Sequence, residues 1–190
     1  MIIAISGTPA TGKTAVANIL VKMLHANLVS IPNLVKSKKI KSYYDRKRRT
    51  FVVDERNIKN AVKRMLRADR INIVEGHVAH IIKADKVFVL RCSPPILIKR
   101  MRKKGWGAAK IKENIEAEIL DVITTEALEM NKKNNVVEID TSMRSPSQIA
   151  ALIGKILNNH RLQRKYSAGS IDWSERYKKY LTSEDYSMTA

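Results

Sequence analysis

The stretch IIAISGTPATGKT, Ile2 to Thr14, decides how this chain is read. Its first half is a short, fully apolar strand, the kind buried on both faces of a parallel sheet. Its second half fits GxxxxGK[ST], and Val16, Ile19, Leu20, Met23 and Leu24 then recur at helical spacing. Strand, glycine-rich turn and amphipathic helix are the context in which such a loop holds a polyphosphate. The chemistry explains the residue types. Beta and gamma phosphates carry several negative charges, so the loop must turn successive backbone N–H groups inward. Gly7 and Gly12 permit that path. Lys13 supplies a point charge, and Thr14 places a hydroxyl where magnesium sits. The helix starting at Lys13 aims its positive end at the same place.

Outward from this loop, strands alternate with helices. LVSI (Leu28 to Ile31), INIV (Ile71 to Val74), KVFVLR (Lys86 to Arg91) and VVEID (Val136 to Asp140) read as further strands. Helices are expected from Asp54, from Pro94 to Lys104, from Lys110 to Lys133 and from Ser145 to His160. Ser145 is the expected N-cap of the last of these, with Pro146 at its first position. Alternation of this kind means a parallel sheet with helical crossovers. From about Arg161 the pattern weakens into a charged segment that keeps Trp173, Tyr177, Tyr180 and Leu181, read as a tail with a short amphipathic piece. The division expected is a P-loop domain over residues 1–160 and a basic C-terminal tail over 161–190.

The net charge of +18 suits a polyanionic partner. The steepest run, Lys36 to Arg49, holds eight cations and also Tyr43 and Tyr44, which suggests a face toward RNA. The lone Cys92 can form no internal disulfide and reads as a buried small hydrophobe. No basic-then-apolar leader is visible and no apolar run approaches a membrane span, so a cytoplasmic location and no membrane partner are expected.

The chain lacks the NKxD of guanine-nucleotide switches; Asn131-Lys132-Lys133-Asn134 has no Asp. A short P-loop chain with a basic insert after its second strand and a basic lid late in the chain fits a nucleoside or nucleotide kinase. The expected fold is a three-layer α/β P-loop domain of the nucleoside monophosphate kinase type, with about five parallel strands.

Five stretches in order sharpen this: NLVKSKKIKSYYD from Asn33, VVDER from Val52, IVEGH from Ile73, LIKRMRKKGW from Leu97 and ENIEAEI from Glu113. With the G-T-P start of the loop, the Tyr44-Asp45 pair and the Glu75/His77 spacing, residues 1–157 resemble the atypical adenylate kinases that act as ATPases in small ribosomal subunit assembly. The resemblance implies an enzyme that is both a phosphotransferase (ATP plus AMP to two ADP) and an ATPase, with magnesium entering with ATP. It implies ribosomal RNA or a pre-ribosome, and a platform protein of the small subunit, as partners. Gly7, Ala10, Gly12, Lys13, Thr14 and Ala15 would hold ATP, with Arg100 and Lys104 by its adenine and phosphates. Residues 30–53 would form the monophosphate region, where Asn33, Lys36, Tyr44 and Asp45 hold the acceptor together with His77. Residues 103–113 would form a lid. Thr14 and Glu75 would hold magnesium, and Lys13, Glu75 and His77 would be catalytic. The chain departs from the family at Glu75, where Asp is more frequent, and at Lys36 and Lys104, where Arg is common. It also has Ala10 for a frequent glycine.

Read from the residues alone, other assignments stay open. A kinase for another small acceptor and an ATP-gated RNA-binding module are the alternatives. Asp54 suits a helix cap as well as a site. His80 reads as structural or exposed, Trp106 as a lid anchor, and Asn114 with Glu118 as a pair on a helix surface.

Overall fold

The computed structural model describes residues 1–40, 42–46 and 50–182, without the side chains of residues 44, 45, 50 and 51. In chain order its elements begin with β1 (Ile2–Ser6), α1 (Lys13–Leu24), β2 (Asn27–Ser30), α2 (Ile31–Lys36), β3 (Ser42–Asp45), β4 (Thr50–Val53) and α3 (Glu55–Met65). They continue with β5 (Asn72–Glu75), β6 (Lys86–Arg91), α4 (Pro94–Lys103), α5 (Ala108–Ile119), α6 (Val122–Met130), β7 (Val136–Asp140) and α7 (Pro146–Leu157). Short helices α8 (His160–Arg164), α9 (Ser174–Tyr177) and α10 (Lys179–Thr182) follow.

The five expected strands form one parallel sheet in the order β2-β5-β1-β6-β7. Alternate residues of β1 point to opposite faces, as the two-residue period requires. Ile3 and Ile5 pack with Val16 and Leu20 of α1 and Ile149 and Ile153 of α7. Ala4 faces the other way, into a cluster with Ile58 and Val62 of α3 and Ile123 and Ala127 of α6. The result is the expected three-layer sandwich. Each buried aliphatic side chain here contributes roughly 1.5–3 kcal/mol. Helix α7 starts as its sequence predicts: the Ser145 hydroxyl accepts from Gln148 N, and the Gln148 side chain returns to Ser145 N.

Two stretches differ from expectation. Ile31, expected to end the second strand, instead opens α2, with Ser30 as its cap; the antiparallel hairpin β3–β4, a small sheet of its own, follows. The helix expected from Lys110 to Lys133 is two helices, starting at Ala108 and breaking at Leu120–Asp121, where Asp121 takes a left-handed φ of 54°. The break lies beside a buried ion cluster. Arg91, 2% exposed, donates through Nε to Glu118 Oε1 at 2.8 Å and through Nη1 to Glu138 Oε1 at 2.6 Å. It also donates to Asp121 and to the Glu118 carbonyl. Glu118 and Asp121, three residues apart, thus meet one guanidinium from the two sides of the break.

Glu138 carries this network into the C-terminal segment. Its second oxygen accepts from Gly169 N at 2.7 Å and Ser170 N at 3.1 Å. Its own N–H donates to Tyr166 O, and Ser167 bridges Val137. Beyond this edge Trp173 and Tyr180 bury themselves against Met101 of α4 and Ile111 and Ile115 of α5. The amphipathic piece therefore docks on this protein's own helices.

Burial alone would lower the Arg91 pKa; Glu118 first, then Asp121 and Glu138, outweigh it and raise it. Replacing Arg91 with Met leaves Glu118 and Glu138 buried without their cation. The expected loss at pH 7 is about 3–5 kcal/mol in urea unfolding. Acid relieves the cost of a buried negative charge that has lost its partner. The gap to wild type should therefore narrow as pH falls. A gap independent of pH would contradict this account.

Candidate active site

The C-terminal ends of β1, β5, β6 and β7 open onto one cleft of about 1290 Å3. In open parallel sheets this edge is where ligands bind. The loop between β1 and α1 forms its floor. Gly7 (φ 135°) passes so close to β6 that a Cβ there would lie 2.3 Å from the Leu90 carbonyl oxygen. No L side chain fits. Ala10 also takes a left-handed φ, 72°, where a glycine would be unstrained. Its methyl packs beside the cluster under α4 and α5. Gly12, the N-cap of α1, offers no side-chain acceptor, and no acid stands in the first turn. The first amides of α1 thus face the cleft with the positive end of the helix dipole.

Lys13 is buried in this cradle, its Nζ donating to Gly7 O at 2.8 Å and Thr8 O at 3.0 Å. Burial is the largest influence on it, lowering its pKa to about 8 against the opposing pull of Glu75 and Glu118. Thr8 is tied down in turn: its hydroxyl donates to Glu118, the carboxylate that holds Arg91. The Arg91 network therefore reaches the phosphate loop directly. Glu118 is 2% exposed, so the expectation of a helix-surface pair with Asn114 is corrected; Asn114 bonds back to Lys110 O on its own helix.

Glu75 ends β5 with its carboxylate 1% exposed. One oxygen accepts from Ser30 at 2.5 Å and the other from Thr14 at 3.2 Å. The glutamate is long enough to meet the Thr14 hydroxyl. A hydroxyl and a carboxylate side by side are hard oxygen donors of the kind magnesium takes together with phosphates, so the residues fit that ion.

His77 sits on the cleft wall with one side open to solvent. Crowding by the walls, then the charge of Lys13, lowers its pKa and keeps the ring neutral at pH 7. Its backbone is held from behind. The Ser6 hydroxyl donates to His77 O at 2.8 Å and lies 2.8 Å from His80 Nδ1, while His80 Nε2 lies 3.0 Å from Glu126. His80 is thus buried and structural, as one of its two readings had it, with its pKa lowered by burial.

Cations ring the opening. Lys36 comes from α2, Arg100 and Lys103 from α4, and Lys104 from its C-cap. Arg100 is fixed by Thr141, donating to its hydroxyl at 3.3 Å and its carbonyl at 2.9 Å. Trp106 lines the cleft beyond them, with Lys110 Nζ 4.4 Å from its ring centre. Thr141, Arg144 and Pro146 close the far wall, and the sequence reading missed them. The available signal was their place just after the last strand, at the same sheet edge.

Not every candidate faces this cleft. Asn33 is exposed on α2, where its amide donates to Ser30 and its carbonyl accepts from Ser37. The side chains of Tyr44 and Asp45 lie outside the described residues. Asp54 caps α3, its Oδ1 accepting from Arg56 N at 2.9 Å and Asn57 N at 3.3 Å. Among the described residues no group of three His, Cys, Asp or Glu side chains could hold a metal unaided. No helix among them is long and apolar enough to cross a membrane.

Comparison with known proteins agrees with this geometry. Residues 3–121 match the family model described as "AAA domain". A protein of Thermococcus kodakarensis named "Putative adenylate kinase" is 36% identical over 181 residues, covering 95% of this chain and 97% of that protein. One of the same name from Methanocaldococcus jannaschii is 36% identical over 184 residues, covering 97% and 99%. Among solved structures, shikimate kinase of Aquifex aeolicus aligns with a TM-score of 0.54 at 14% identity, covering 85% of this chain and 99% of that one. Thymidylate kinase of Candida albicans aligns at 0.51, also at 14% identity, covering 85% and 92%. The likeness to these two shows the P-loop kinase fold. At 36% identity over nearly the full length of the archaeal proteins, the chain belongs to their adenylate-kinase-like P-loop family.

Proposed function

We propose that this protein is an ATP- and magnesium-dependent adenylate kinase, converting ATP and AMP to two ADP, with an ATPase activity when water replaces AMP. The observation that carries the proposal is one cleft in which the phosphate loop, the Thr14–Glu75 pair and neutral His77 meet cations from α2 and α4. The names of the archaeal relatives support the same reading. On the family's precedent we extend it to maturation of the small ribosomal subunit, with ribosomal RNA and a platform protein as partners. The charge of +18 supports a polyanionic partner of this kind.

Transfer needs an acceptor phosphate oxygen to attack the gamma phosphorus while the bond to the bridging oxygen of ADP breaks. Little covalent help is required; positioning and charge neutralisation do most of the work. In this reading the loop amides and Lys13 take the beta and gamma oxygens, and Lys13 exchanges its carbonyl partners for phosphate. Arg100, Lys103 and Lys104 offset the repulsion between two anionic substrates. Bound magnesium, held by Thr14 with Glu75 beside it, would neutralise charge on the phosphate oxygens. His77, uncharged, offers a hydrogen bond to the acceptor or to a water without adding a cation.

Production of ADP with and without AMP tests the assignment. Strong AMP dependence is expected in the wild type, with a fall of about 100-fold or more in Lys13→Ala. Slow turnover indifferent to AMP would leave the ATPase and remove the kinase. Glu75→Gln should lower kcat by about 10-fold or more while ATP still binds, because the charge beside the metal is lost and the cradle is not. Binding of ATP should also weaken as pH rises through about 8, where free Lys13 loses its proton, and below that pH the affinity should level off. The stability of the free protein should move the other way. Lys13 holds its proton less well folded than unfolded, so stability rises with pH between about 8 and its ordinary value of 10.5.

A further inference from the structure

A second groove, of about 970 Å3, opens at the other end of the sheet. Its borders are residues that precede strands: Ile2 at the head of β1, Ile82 and Lys83 before β6, and Met130 and Lys132 before β7. The end of α3 forms the remaining side. All these strands are parallel, so the groove and the phosphate loop lie at opposite ends of the sheet, about 16 Å apart along a five-residue strand.

The floor is aliphatic, made by Ile2, Val62, Leu66, Ile81 and Ile82. Met130 stands at its edge, 45% exposed, with a side chain that adapts to irregular partners. Four lysines border the floor: Lys59, Lys63, Lys83 and Lys132. Lys59 pairs with Glu55 on its own helix. Among the described residues, no acidic side chain pairs with the other three. The single acid on the border, Asp85, is already engaged, accepting from Ile2 N at 2.7 Å.

This combination selects among polyanions. Single strands of nucleic acid are held where a positive groove is joined by aromatic platforms on which bases stack. The groove offers no aromatic ring. It offers an aliphatic trough between point charges. A polypeptide segment with aliphatic side chains on one face and carboxylates flanking them complements both parts. We propose that this groove docks such an acidic, aliphatic-bearing segment of a partner protein, on a surface separate from the nucleotide cleft.

The test uses the full chain and a fluorescent synthetic peptide of glutamates with leucines at helical spacing, at about 0.1 M salt. The wild type should bind it. Lys63→Glu/Lys83→Glu/Lys132→Glu should weaken binding by about tenfold or more. Lys22→Glu/Lys155→Glu/Lys178→Glu alters the net charge equally on exposed positions of α1, α7 and the C-terminal segment, none of which lines the groove, and should bind nearly as the wild type does. A peptide with serine for every leucine should bind about tenfold more weakly, because the floor is then unused. Equal loss in both variants, equal binding of the serine peptide, or no binding by the wild type would overturn the proposal. So would a labelled oligouridylate that the groove variant loses while the peptide still binds.

Discussion

The Arg91 guanidinium is the fixed point of this molecule. It is nearly inaccessible to water, yet charged, and three carboxylates and a carbonyl surround it. Buried ion clusters of this kind add little stability over a well-packed apolar core, because desolvation offsets most of the Coulomb attraction. What the cluster adds here is placement. It joins β6 to β7 and to the α5–α6 junction, and through Glu118 it reaches Thr8 of the phosphate loop. An apolar core could hold the same elements together without fixing that loop to the helix that follows the basic wall of the cleft.

The cleft depends on similar support from outside it. Glu75 is aimed at Thr14 because Ser30 occupies its other oxygen. Arg100 is held at the rim by Thr141 from a different strand end. The turn bearing His77 is fixed through Ser6, itself in contact with buried His80. Charged and polar groups that must meet phosphate are thus placed by partners whose own positions are set by the sheet.

The fold was legible because apolar strands buried on both faces leave short continuous runs, and five of them were found close to their true limits. The phosphate loop was legible because its glycines, lysine and threonine each answer one requirement of a polyphosphate. The resemblance to a known family supplied Glu75, His77, Arg100 and Lys104, which spacing alone would have left as a strand end and a solvated helix face. The rest depended on contacts distant in sequence. Glu118 resembles any surface glutamate on an amphipathic helix until Arg91, 27 residues away, is seen beside it. The break at Asp121 has no glycine or proline to announce it. Thr141 and Arg144 join the cleft only because β7 is an edge strand beside β6. The small α2 and the β3–β4 hairpin were hidden by a charge run that looks like solvated loop.

The link from Glu138 to the backbone of Gly169 and Ser170 bears on how the chain comes to be folded during synthesis. Glu138 is 0% exposed, and one of its oxygens is met by amides about thirty residues further on. Until those residues have emerged, the sheet can assemble only around a carboxylate lacking part of its hydrogen bonding, which disfavours closure of that edge. Domains fold as units while the chain is made from its N-terminus. Here the unit includes the final segment, so a nascent chain stopped after α7 carries every strand of the sheet and still lacks the groups that complete its core.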